Sequence, residues 1–399
     1  MPAKKTKQGN HWTPGPVVDW LFSTGCKMNN DREFVRDLGN RLNACGAPVD
    51  RLRIIIRTLH PEIVGAACSW SKATDATSRV ETPRRIRETD RYIGSPLQQL
   101  VETEETVRQR LDRLPEGAHR AYTELLEEGF TDYLAMPVIT AQGFTSAIII
   151  VTAKSDGFGV REVDNFHMLR DYLVPILEVQ SLRHLAKSLL NTYVGKRTGE
   201  KVLAGMIKRG DADIINAALW FSDLRNFTRI TETQDADLVL GMLNDYFEFV
   251  AAAVTARGGE ILRFIGDAML IVFPIDDKQD KRASCQAAID AAIDAQSTLE
   301  SLNHRRRRQG QDAIEFGVGL NVGEVIYGNV GAPDRLDFTV MGPAVNRTAR
   351  LESLTKETGR NILFSKEFAD LIDEPVQSLG KHDMKGIDEP QAVYALHSE

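Results

Sequence analysis

The chain has 399 residues, of which 42% are hydrophobic and 26% charged, with a formal net charge of −7. That is ordinary globular material, long enough for two or three domains, and its acidic balance points away from nucleic-acid binding, which usually shows as a basic surface. No run approaches the roughly 20 apolar residues that span a bilayer, so no transmembrane segment is expected, and the basic start at Lys4, Lys5 and Lys7 reads as a disordered tail over residues 1–14.

Residues 15–175 read as an α+β domain. Phe34, Val35, Leu38 and Leu42 fall on one helical face, which predicts a helix over 31–44 that Gly46 and Pro48 end. The isoleucine-rich alternation of 51–59 predicts a strand, and 63–70 a second. Polar residues 71–92 read as a loop, and 102–114 and 118–128 as helices. Residues 132–139 and 145–152 form a strand pair around Gln142-Gly143, and 163–190 a long amphipathic helix. This order of elements resembles that of GAF-type sensor domains, in pattern only and without a motif.

The long helix carries Leu169, Leu173, Ile176, Leu177, Val179, Leu182, Leu185 and Leu189 at spacings of three and four. Such a stripe suits pairing with a second copy of itself or packing on its own domain. Residues 176–212 therefore read as a helical linker with glycine breaks, placed to transmit changes.

From residue 213 the pattern changes. A strand over 214–221, a helix over 235–257, strands over 259–265 and 268–273 around Gly266-Asp267, and a helix over 282–302 follow. Residues 316–322 and 325–330 read as another hairpin, 338–341 as a strand and 343–354 as a helix. This succession predicts a ferredoxin-like α+β fold. Arg305 to Arg308 reads as a solvated loop.

Asp223 follows one strand and Asp267 tips the next hairpin, so the topology brings two carboxylates to one end of a sheet. Oxygen ligands of this kind suit Mg²⁺ or Mn²⁺, and a two-metal site can activate a hydroxyl while stabilising a leaving pyrophosphate. Taken alone, two aspartates at strand ends are more often turn formers.

Three segments in order change that balance: FSDLRNFT (221–228), ILRFIGDAML (261–270) and TVMGPAVNRTARLE (339–352). Together they resemble the class III adenylyl and guanylyl cyclases over residues 213–395. The resemblance implies that Asp223 and Asp267 bind two Mg²⁺ or Mn²⁺ ions, with the Leu224 backbone carbonyl as a further ligand. It implies that Asn226, Phe227 and Thr228 form a turn whose N–H groups hold phosphates, and that Lys385 contacts the terminal phosphates. Asn226 stands where the family usually has glycine, and asparagine tolerates the left-handed backbone such a turn needs.

Asn346 and Arg350 match the family's transition-state pair, the asparagine orienting the ribose and the arginine meeting charge on the α-phosphate. Their spacing of four places them on one helical face. The plainer reading of Arg350 is a surface ion pair with Glu352 or Glu357. Arg263 and Thr339 match the positions that read the base. Thr339 is of the adenylyl type, whereas Arg263 departs from the usual lysine: it keeps the charge but is longer and forked, and its plainer reading is an ion pair that turns it from the base.

The family's active sites form between two catalytic domains, so the resemblance implies a homodimer making cyclic AMP from ATP, regulated by the N-terminal domain through an unknown ligand. A catalytically silent nucleotide-binding partner and a guanylyl cyclase are the alternatives. Cys26, Cys45, Cys68 and Cys285 show no metal-ligand spacing and fit a reducing, cytoplasmic setting; redox sensing, or haem or metal at His60 or His167, are minor readings.

Overall fold

The computed structural model describes residues 12–57, 62–141, 143, 145–276 and 280–397. His60, Gln142 and the three lysines of the N-terminal tail lie outside the described residues. The chain divides into two compact units, residues 1–189 and 190–399.

The first unit begins with α1 (Gly15–Ser23) and α2 (Asp31–Ala44). Asn30 caps α2 by accepting the backbone N–H of Arg32 at 3.0 Å, which satisfies a donor the helix itself leaves open. The strands β1 (Arg51–Arg57), β2 (Ile63–Ser71) and β3 (Thr77–Pro83) follow, then α3 (Pro96–Thr103), β4 (Val107–Arg110) and α4 (Arg120–Glu127). Then come β5 (Asp132–Ile139), β6 (Thr145–Thr152) and the 35-residue α5 (Val160–Val194). The six strands form one antiparallel sheet in the order β3-β2-β1-β6-β5-β4.

Alternation along β1 separates the two faces of this sheet. Leu52, Ile54 and Ile56 join Trp20, Phe34, Leu38, Phe166 and Leu173 in a core beneath the helices α1, α2 and α5. On the other face Tyr133, Ala135, Ala147, Ile149 and Val151 pack with Leu100, Val107 and Leu111.

Two expectations fail here. Residues 102–114 are not a helix: α3 stops at Glu104, which is left-handed (φ 57°), and β4 follows. The reason is tertiary. Val107 is buried, and Arg108 pairs at 2.8 Å with Asp132, whose side chain is 0% exposed. Within residues 71–92, moreover, Thr77–Pro83 is a strand paired with β2. As an edge strand it needs no apolar alternation, so its polar sequence hid it.

In α5, Leu169, Leu173, Ile176 and Leu177 are buried in the core of this unit, while Val179, Leu182 and Leu189 are exposed. The helix runs through Pro175 and past residue 190 to Val194. Gly195 (φ 87°) then breaks it, and the segment read as a connector contains α6 (Lys196–Leu203).

The second unit continues with β7 (Ala212–Leu224), α7 (Phe227–Thr233), α8 (Ala236–Ala256), β8 (Glu260–Ile265), β9 (Ala268–Ile275) and α9 (Lys281–Arg308). Next are β10 (Phe316–Ala332), β11 (Arg335–Met341), α10 (Pro343–Thr358), β12 (Ile362–Ser365), α11 (Lys366–Ala369), β13 (Val376–His382) and β14 (Gln391–Leu396). The sheet runs β13-β14-β12-β10-β7-β9-β8, with β11 paired to β10. Its centre is β7, where Ala217 to Trp220 are fully buried between two apolar clusters. Helix α8 is long and apolar enough to meet a length-and-composition test for a membrane span. Its stripe of Met242, Tyr246, Val250 and Val254 lies in the core of this unit.

The hairpin expected over 316–330 is a single 17-residue strand. It stays in register with β7 from Phe316 opposite Leu224 to Gly328 opposite Ala212. Gly323 is there for closeness rather than for turning, since a Cβ would meet that of Ala344 at 2.9 Å. The chain reverses after Ala332 instead, and β11 pairs back along β10. The arginines 305–308 form the last turn of α9 rather than a loop. Arg306 is only 8% exposed and donates to the Asp312 carbonyl at 2.9 Å and to Asp245 at 3.1 Å.

Candidate active site

Asp223 is the penultimate residue of β7, opposite Gly317 of β10. Asp267 follows Gly266 (φ 65°) in the turn between β8 and β9. Because β7 and β9 are neighbours, with Ser222 opposite Met269, both aspartates lie at one end of the sheet. Burial, and then the adjacent Asp223 carboxylate, push the Asp267 carboxyl up to about 6. Two negative groups in one place raise each other's proton affinity.

Helix α10 completes the surroundings. It lies against β10 so closely that a Cβ on Gly319 would collide with the Thr348 carbonyl and the Glu352 nitrogen. That approach carries Lys356 to 3.1 Å from Asp223. It also buries Glu352, which is 2% exposed. Burial first, then Asp223, push the Glu352 carboxyl up to about 7, while Lys356 and Arg225 pull the other way. Sequence reasoning placed Glu352 only as a surface partner of Arg350 and did not single out Lys356. The signal that could have found both is the Gly317-x-Gly319 pair on β10, which marks a helix packed backbone-to-backbone against the strand beside Asp223.

The remaining candidates fall into separate groups. Asn226 adopts the left-handed conformation (φ 57°, ψ 22°) at the start of α7. The N–H groups of Phe227 and Thr228 fall in the first turn, where no carbonyl of the helix can reach them. The Leu224 side chain is buried at the end of β7. Arg263 on β8 pairs with Asp337 of β11 at 2.9 Å, both side chains being 44% exposed. Thr339 lies two residues beyond Asp337, on the same face of that strand. Lys385 is exposed in the segment between β13 and β14 and makes no ion pair or hydrogen bond among the described residues.

Asn346 and Arg350 are exposed on α10, and Arg350 has no ion pair among the described residues. The same helix buries Thr348, Leu351, Glu352 and Thr355. The 346–350 stripe and the 352–356 stripe are offset by six residues, which the rotation of an α-helix places about 120° apart. One stripe meets Asp223, and the other is exposed on a different side of the helix. A single chain therefore gathers Asp223, Asp267, Glu352 and Lys356 but leaves Asn346 and Arg350 apart from them.

The donor set fits a divalent cation with oxygen preference. Two crowded carboxylates face a single ammonium, and Asp267 retains a raised proton affinity in spite of it. No group of three or more His, Cys, Asp or Glu among the described residues is placed to hold one metal ion, so water and substrate oxygens would complete any coordination shell.

Residues 212–398 match the family model of the adenylate and guanylate cyclase catalytic domain. An adenylate cyclase of Anabaena cylindrica is 33% identical over 201 residues, 47% of this chain and 39% of that protein. The terminal-differentiation-specific adenylate cyclase of Dictyostelium discoideum is 37% identical over 157 residues, 39% of this chain and 7% of its own length. The chain thus spans well under half of either relative. Among solved structures, the adenylyl cyclase CyaB from P. aeruginosa is 28% identical, over 47% of this chain and 96% of that one, with a TM-score of 0.44.

Proposed function

We propose that this protein is an adenylyl cyclase that works as a homodimer, converting ATP to 3′,5′-cyclic AMP and pyrophosphate. The supporting observation is the division of α10 into two stripes. Glu352 and Lys356 belong to the aspartate end of their own chain, whereas Asn346 and Arg350 are free to serve the aspartates of a second copy. The exposed side chains of Ile214, Phe264, Ile265 and Ile326 offer apolar surface for such a pairing. In a two-fold arrangement each chain gives both halves, and two equivalent sites result.

In the reaction the ribose 3′-oxygen forms a bond to the α-phosphorus as it loses its proton, and the bond to the β-phosphate bridging oxygen breaks. Asp223 and Asp267 would hold two Mg²⁺ or Mn²⁺ ions, which supply charge to lower the proton affinity of the 3′-hydroxyl and to stabilise the departing pyrophosphate. Asn346 orients the ribose, and Arg350 offers donors to the charge growing on the α-phosphate. The start of α7, at Asn226, Phe227 and Thr228, receives phosphate oxygens, and Lys385 the terminal ones. Arg263 and Thr339 read the base. Asp337 fixes the guanidinium that would donate to adenine N1, and the threonine favours adenine over guanine. We further propose that the N-terminal unit regulates this site and that the protein is cytoplasmic, in line with its four unpaired cysteines.

The test is product formation by the full chain from ATP and from GTP, with Mg²⁺ and with Mn²⁺. Cyclic AMP from ATP, lost in Asp223→Ala, is the expected result; cyclic GMP instead would reverse the base assignment. Equal mixing of inactive Asp223→Ala and Arg350→Ala chains should restore about a quarter of the wild-type sites, because half of the dimers regain one. No restoration would sink the shared-site reading.

A further inference from the structure

The sheet of the N-terminal unit holds a partly open cavity of about 960 Å³ on the face opposite α1, α2 and α5. That is the size of a small-molecule site. Its floor is apolar and shallow in side-chain bulk: Ile55, Ala67, Ala147 and Ile149 stand side by side across β2, β1 and β6. The small residues at 67 and 147 leave the room.

The charge around this floor is one-sided. Six arginines line the cavity against three glutamates. Each glutamate is already matched: Glu128 by Arg51, Glu124 by Arg120 and Glu81 by Arg79. Arg53, Arg87 and Arg91 make no ion pair and no hydrogen bond among the described residues. Arg53 is the telling one. It projects from the middle of a central strand, between Ser69 and Ile149 of the neighbouring strands, beside Tyr133. Protein crowds it enough to disfavour its charge, yet its surface stays open because it faces the cavity. An exposed, unmatched guanidinium beside an apolar floor keeps its fork of donors open to an anion.

We propose that this cavity is a binding site for a small organic anion, in which an apolar or aromatic body lies on Ile55, Ala147 and Ile149 while a carboxylate or phosphate takes the fork of Arg53. Arg87 and Arg91, on the segment that roofs the cavity, add long-range attraction and a second point of contact. A forked donor suits both kinds of anion, so the sources are separated by experiment. The proposal rests on the N-terminal unit alone and does not depend on the cyclase reading.

Three probes with one aromatic body decide it by calorimetry on the full chain: 1-naphthyl phosphate, 1-naphthoate and 1-naphthol. At least one anion should bind once per chain and at least tenfold more tightly than naphthol, and the stronger anion names the head group. Arg53→Gln should erase that preference, and Arg53→Lys should keep part of it. Arg87→Gln, at an exposed position that folding does not need, should weaken the anion and leave naphthol unchanged. Equal binding of naphthol and both anions, no binding of any probe up to about 1 mM, or full anion affinity in Arg53→Gln would each overturn the proposal.

Discussion

Replacing Glu352 by glutamine should make the metal-free protein more stable at neutral and alkaline pH. The folded carboxyl keeps its proton up to about 7, against 4.5 for an ordinary glutamate. Below 4.5 it is protonated in folded and unfolded chains alike and costs nothing. Between 4.5 and 7 the unfolded chain releases the proton and the folded chain does not, so stability falls as pH rises. At about 1.4 kcal/mol for each pH unit, the penalty above pH 7 reaches about 3 kcal/mol. The amide of Glu352→Gln has the same shape and carries no such charge. The assay is urea unfolding with chelator present from pH 5.5 to 8.5, read by hydrogen exchange in β7 and β10 so that the second unit is followed alone. The advantage of the glutamine variant should grow across that range, and Mn²⁺ should shrink it, because a cation beside Asp223 also favours the Glu352 carboxylate. Parallel pH curves for the two proteins would refute the reasoning.

Gly319→Ala should destabilise the second unit by about 3 kcal/mol or more, since the added carbon meets α10 backbone that has nowhere to go; thermal unfolding measures it. Arg306→Ala should cost about 2–3 kcal/mol by stranding the Asp312 carbonyl and Asp245, whereas Arg305→Ala, on the exposed side of the same turn, should change stability by less than about 0.5 kcal/mol. Arg350→Ala should lower kcat about 100-fold or more with little change in KM, as expected for a donor used only at the transition state. Arg263→Lys should alter the ratio of ATP to GTP turnover without altering stability, because its ion pair with Asp337 is half exposed; an unchanged ratio would remove Arg263 from base reading.

The second unit was readable where its candidate site is carried by short segments with fixed spacing. Asp223, Asp267 and the left-handed Asn226 sit where local sequence dictates, at a strand end, a hairpin tip and a helix start. The failures share a cause, which is that distant partners set the outcome. Residues 107–110 became a strand because Asp132 and β5 hold them. Residues 77–83 paired with β2 although their own sequence is that of a loop. Gly323 read as a turn because glycine permits turns; α10, not the local chain, shows why it is there. Glu352 and Lys356 were invisible for the same reason, since only the packing of α10 on β10 places them beside Asp223.

The junction at Gly195 has a mechanical meaning. Glu260, the first residue of β8, accepts the Arg197 N–H at 3.0 Å and crowds Gly195 itself. Three residues further along that strand stands Arg263. The 35-residue helix α5, about 52 Å long, ends one residue before Gly195, so the chain just beyond it is held by the strand that carries the side chain proposed to read the base. The pairing of that strand with β9 skips a register between Ile261 and Arg263, so the backbone between the held end and Arg263 carries the irregularity of a bulge.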